Sequence, residues 1–168
     1  MTKSVHYRRS NVKEMAEQTK TTRRRSSARN SEEDALMQLG RVQPQAVDFE
    51  KAVLGACIIE QDAFGVVADF LKPHSFYEKK HQIIFQAIQT LVGLDAPVDV
   101  LTVVEQLQKT GDLENAGGAA YIADLSRSVL SSAHLEYHAR IVAQKALARD
   151  LITYTSNIQK LAFDESQD

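Results

Sequence analysis

The stretch DLENAGGAAYIADL, Asp112 to Leu125, sets Gly117 and Gly118 at the start of an expected helix. Paired glycines at a helix start can cradle phosphate with their backbone N–H groups. A P-loop, however, needs Gly-x-x-x-x-Gly-Lys-Ser/Thr. Here Gly111 and Gly117 are one residue too far apart, and Gly118 and Ala119 stand where the lysine and the hydroxyl are required. Asp112 and Glu114 would repel phosphate, and no strand is expected before the turn, so the dinucleotide fingerprint fails as well. Gly117 and Gly118 therefore read as a helix-entry turn in which the backbone approaches a neighbour closely.

Three other residue sets have chemically useful types. His134 and His138 are four apart, the spacing with which a helix can offer two zinc ligands. No third ligand stands nearby, and the glutamate of "HLEYH" is out of place for a metalloprotease, so surface histidines are the better reading. Cys57 lies among Val53, Leu54 and Ile58 with no local base, which suits a buried small hydrophobe better than a nucleophile. His81 opens an apolar helix after "FYEKK". It could act as a general base, but a helix-end or core hydrogen bond is the commoner role. No catalytic, cofactor or metal site emerges.

These residues must be held by helices. The 168 residues suffice for one domain and a tail, and the chain is 43% hydrophobic and 25% charged, as in ordinary globular proteins. No apolar run is long enough for a membrane span, no secretory h-region is evident, and one cysteine excludes an internal disulfide framework. Charge divides the chain. Residues 1–31 hold nine Lys/Arg and two Glu, a net +7, and residues 32–168 carry −9. Residues 1–41 read as a basic, disordered arm, attractive to nucleic acid or an anionic surface or simply solvated.

The remainder is expected to be all-α. "DFEKAVLGACII" has helical apolar spacing, and Asp62 is a candidate cap for "AFGVVADFL". "EKKHQIIFQAIQTLVG" should stop at Gly93. Asp99 and Gly111 should bound "VLTVVEQLQKTG". A long pattern follows from about Ala133 to Phe163, with Leu135, Val142, Leu151, Ile158 and Leu161 assigned to one band. A segment of that length either bends into a hairpin or projects, and both arrangements call for a second helix pair, most simply from another copy of the chain.

"VQPQAVDFEKAVLGACIIEQDAF", "FYEKKHQIIFQAI", "APVDVLTVVEQLQKTGDLENAGGAAYIADLS" and "YHARIVAQKALARDLI" occur in that order. Together they resemble the N-terminal domain of the bacterial replicative helicases of the DnaB family, from about Val42 to the C-terminus. Val53-Leu54-Gly55, Phe76-Tyr77 with His81, Pro97-x-Asp99, Thr102 and Gly117-Gly118-x-x-Tyr121 carry the likeness. The chain departs from the family at Gln43, where a proline is usual, at Asp48-Phe49-Glu50 for Glu-Ala-Glu, and at Leu130, again for a proline.

The resemblance implies a helical globular subdomain over 42–130 and a helical hairpin over 131–168 for oligomerisation and partner binding. It implies pairing between subunits in a hexameric ring with three-fold symmetry, and docking of the C-terminal domain of primase and of a helicase loader. Tyr121, Ile152 and Ile158 would face primase. ATP and Mg would bind in a separate RecA-like motor domain of the full 5'-3' helicase, leaving this part non-catalytic and without a cofactor. The expected location is the bacterial cytoplasm, associated with the nucleoid. The competing readings are a helicase-binding domain of a primase or a loader, and a nucleic-acid-binding module working through residues 1–31.

Overall fold

The computed structural model describes residues 42–128 and 134–164. The basic arm of residues 1–41 and Leu130 lie outside them. Six α-helices and one 3-10 turn occur among the described residues, and none of these residues forms a strand. The helices are α1 (Val47–Ile59), α2 (Ala63–Val67), α3 (Lys79–Gly93), α4 (Val100–Thr110), α5 (Gly118–Ser128) and α6 (Leu135–Asp164). The 3-10 turn, Pro73–Ser75, lies between α2 and α3.

Helix α1 is central. Its run Val53 to Ile58 is apolar on every side and wholly buried, as a helix walled in all round must be. It packs against α2, α3, α5 and α6. Helix α3 contributes Ile84, Phe85, Ile88 and Leu91 to the same core. Phe76 and Phe64 flank Phe85, with ring centroids 4.9 Å and 5.5 Å away. Each such side chain, removed from water, stabilises the fold by ~1.5–3 kcal/mol.

The boundaries of α4 follow local chemistry. The Asp99 carboxylate accepts from the Thr102 N–H at 2.9 Å, and the Asp99 N–H donates to the Thr102 hydroxyl at 2.9 Å. Gly111 closes the helix in the left-handed region at φ 77°. Two other expected boundaries differ. Asp62 has helical rather than extended dihedrals and makes no side-chain cap bond. Ala63 instead directs its N–H to the Glu60 carbonyl at 3.1 Å, and α2 ends at Val67. Gly93 is the last residue of α3 and not its left-handed terminator, because the chain reverses two residues later, where Asp95 takes φ 54°. Aspartate tolerates that region better than most residues.

The segment expected as a hairpin runs from Leu135 to Asp164 as one unbroken helix of 30 residues, about 45 Å long at 1.5 Å per residue. It contains neither glycine nor proline to turn the chain. Its first half lies on α1, α2 and the 3-10 turn through Leu135, Ala139, Val142 and Ala146. Arg149 ends this contact. Its guanidinium donates to the Pro44 carbonyl at 2.8 Å and to the Ser75 carbonyl at 2.7 Å. Beyond it the apolar residues are exposed. The single band expected from Leu135 to Leu161 is thus two stripes: Leu151 follows Val142 by nine residues, two and a half helical turns, so it points away from the core.

Candidate functional site

Two features combine specific side chains with access to the surface. The first is a buried chain of polar groups ending at Tyr121. Glu50 is presented by α1 and is 1% exposed, and His81, in the first turn of α3, is fully buried. One Glu50 oxygen accepts from the Tyr77 N–H at 2.6 Å, the other from the Glu78 N–H at 3.4 Å and from His81 Nδ1 at 2.6 Å. An ionised carboxylate only accepts, so His81 Nδ1 donates to it, and on the other side of the ring Nε2 is hydrogen-bonded to the Tyr121 hydroxyl at 2.7 Å.

Burial pushes the Glu50 carboxyl up. The hydrogen bonds from His81 and Tyr77, the charge of His81 and the bond from Glu78 outweigh it and hold the group below the usual carboxylate range. The line carboxylate, imidazole, hydroxyl has the order of a hydrolytic triad. Its hydroxyl is a phenol, however, and a groove of the same domain is separate from it. That groove, about 220 Å³, lies between α3 and α4 and is walled by residues such as Gln82, Gln86, Gln106 and Thr110, with none of Glu50, His81 or Tyr121. The relay acts as a clamp that ties α1, α3 and α5 together.

Tyr121 is half-buried and packs on the core. Gly117 and Gly118 lie at the entry to α5 with φ 96° and 78°. A side chain at Gly117 would come within 3.1 Å of the Tyr121 ring, so glycine allows both the backbone conformation and the close approach. Lys80 lies over the ring, its Nζ 4.1 Å from the ring centroid.

The second feature is the outer half of α6. Leu147, Leu151, Tyr154, Ile158 and Leu161 are 56–65% exposed and alternate four and three residues apart. This is the seam pattern of a coiled coil. Ile152, 49% exposed, sits beside it. Tyr121 thus joins the core, whereas Ile152 and Ile158 lie on the helix beyond it. His134 is exposed, and His138 packs against Phe49 at 5.2 Å between ring centroids. Among the described residues, no three His, Cys, Asp or Glu side chains gather as a metal site. Cys57 is buried in the core, and burial pushes its thiol up to about 12, far from a reactive thiolate. Among the described residues, no helix is long and apolar enough to cross a membrane.

Sequence reasoning singled out His81 and Tyr121 separately and gave Glu50 no role. A glutamate facing the inner side of an apolar helix was the available signal.

Residues 42–144 match the model of the DnaB-like helicase N-terminal domain. The chain is 46% identical over 131 residues to the replicative DNA helicase DnaB of Rhodothermus marinus, a match covering 78% of this chain and 14% of that protein. It is 37% identical over 131 residues to the replicative DNA helicase DnaC of Bacillus subtilis, covering 76% and 29%. The chain therefore spans less than a third of the length of either relative. Among solved structures, the N-terminal domain of DnaB helicase from Mycobacterium tuberculosis superposes with a TM-score of 0.73 at 34% identity, covering 76% of this chain and 91% of that one. A DnaB-like replicative helicase, described with its interactions with primase, superposes with a TM-score of 0.61 at 26% identity, covering 67% and 26%. The order of the helices, the buried α1 and these likenesses agree, and the chain belongs to the DnaB-like helicase N-terminal domain family.

Proposed function

We propose that this chain is the non-catalytic collar of a replicative hexameric DNA helicase, which pairs with further copies of itself and docks primase. The observation that carries the reading is the exposed seam of Leu147, Leu151, Tyr154, Ile158 and Leu161. Five large apolar side chains at heptad spacing on a solvent-facing helix need a second helix to cover them. Docking of primase rests on the likeness to the helicase described with primase and on the accessibility of Tyr121, Ile152 and Ile158. Tyrosine and large apolar residues at accessible, pre-positioned places are what interface centres use. A loader would be a further partner of the same collar, and ATP and Mg would serve a motor domain elsewhere in the full helicase.

Calorimetric titration with the C-terminal domain of the same organism's primase, after light scattering has established the state of association, tests the reading. Saturable binding is expected, weakened by ~1–3 kcal/mol in Ile152→Ala at an unchanged unfolding midpoint and, per folded molecule, in Tyr121→Ala, which also loses its hydrogen bond to the buried His81 and melts lower. Absence of binding by the assembled protein overturns the docking role, and ATP turnover by the chain alone overturns the non-catalytic one. The net +7 of residues 1–31 supports a second activity, non-specific contact with DNA. Deleting these residues is expected to remove salt-sensitive DNA affinity, and DNA affinity that persists after the deletion overturns this second reading.

A further inference from the structure

We infer that Lys80 and Tyr121 form one recognition point, which takes a carboxylate side chain of the docked partner protein. The inference rests on the docking role of Tyr121 above and adds the chemistry of the group received there.

The tyrosine is held in place before any partner arrives. Its hydroxyl is fixed by His81 at 2.7 Å, and His81 is fixed by the buried Glu50 at 2.6 Å. Its Cβ and ring edge lie where a side chain at Gly117 would stand, 3.1 Å away. A half-buried aromatic ring constrained at both ends presents one fixed face, and Lys80 Nζ lies over it at 4.1 Å.

The charge of Lys80 is poorly compensated. It is the second residue of α3, at the positive end of a 15-residue helix, where a cation is disfavoured. Among the described residues no carboxylate forms an ion pair with it. Two acids on the neighbouring helices α1 and α5 are engaged elsewhere. Glu50 serves His81 and two backbone N–H groups, and Asp124, one turn beyond Tyr121, pairs with Arg127 at 3.3 Å. The end of α3 already has the Glu50 carboxylate on the Tyr77 and Glu78 N–H groups, so a single carboxylate arriving beside the ring would be attracted by the Lys80 ammonium itself. A polyanion is disfavoured, because residues 32–168 carry a net −9.

The test compares the full chain with Lys80→Met and Lys80→Glu. Binding of the primase C-terminal domain is titrated at low and high salt, with thermal melting as a control for folding. Lys80→Met is expected to weaken binding about fivefold at low salt and to flatten its salt dependence, and Lys80→Glu to weaken it at least about tenfold further, through like-charge repulsion. The melting midpoints should stay close to that of the unsubstituted chain. Tyr121→Ala weakening while Lys80→Met keeps full affinity and full salt dependence overturns this inference and leaves the docking role standing. If no form of the chain binds primase, both fall. A single-stranded oligonucleotide whose binding depends on Lys80, with primase binding indifferent to it, also overturns the inference, because the group received is then a phosphate.

Discussion

At the scale of the residue, a carboxylate 1% exposed is tolerable at position 50 because three donors surround it. Leaving one of those donors unpaired costs ~1–3 kcal/mol, so Glu50→Ala is expected to destabilise the domain by at least ~2 kcal/mol, read from the shift in urea midpoint. The sign of the pH dependence follows from the lowered folded-state value. The unfolded chain takes up the proton first, near the ordinary carboxylate value of about 4.3. The stabilisation is complete above that pH and is lost as pH falls through it towards the lower folded value. Urea midpoints measured from neutral pH down to about pH 3 should therefore drop more steeply for the unsubstituted chain than for Glu50→Gln, which has no carboxyl to titrate. Equal slopes would mean that Glu50 is not the titrating group.

At the scale of the element, α4 shows what local chemistry alone can specify. Asp99 and Thr102 bond reciprocally at its start, and Gly111 takes the left-handed conformation at its end. Asp99→Ala is expected to cost ~1 kcal/mol and Asp99→Asn much less, because asparagine caps nearly as well. Thermal melting checks both, and equal losses would show that the charge of Asp99, and not its cap bond, stabilises the helix. Helix α6 obeys a different logic. Nothing in its sequence stops it between Leu135 and Asp164, but its two halves satisfy different neighbours. The inner stripe is already covered by the chain's own core, and the outer one is not.

At the scale of the whole molecule, that outer stripe makes the proposed self-association the property most open to disruption without unfolding. Leu151→Glu puts a charge on the seam at a position 56% exposed, away from the core. Self-association measured by sedimentation equilibrium should weaken at least about tenfold, or ~1.4 kcal/mol, with an unchanged helical spectrum. An unaltered association constant would remove the seam from the subunit interface. Ile158 belongs both to this seam and to the surface proposed to meet primase, so its substitution should lower both affinities, whereas Ile152→Ala should act chiefly on primase.

Much of this was legible in the residues themselves. Helical periodicity, the Asp99 cap, the Gly111 stop and the Gly117-Gly118 entry act over three or four residues, so local chemistry determined them. The apolar spacing from Val53 to Ile58 announced a helix, and packing added that it is buried on every side. The ordered family segments identified the domain through their combination, since no one motif would have done so. Tertiary structure alone decided what joins across distance. Glu50 meets His81 across 31 positions and His81 meets Tyr121 across 40, and no spacing rule reaches that far. It also decided which apolar residues of α6 are core. Val142 and Leu151 are equally hydrophobic in composition, but Arg149, bonded to the Pro44 and Ser75 carbonyls, marks where the domain ends and the helix runs on into solvent. Hydrophobicity alone does not say which of these side chains is buried, because folded surfaces also carry apolar residues, and packing decides it.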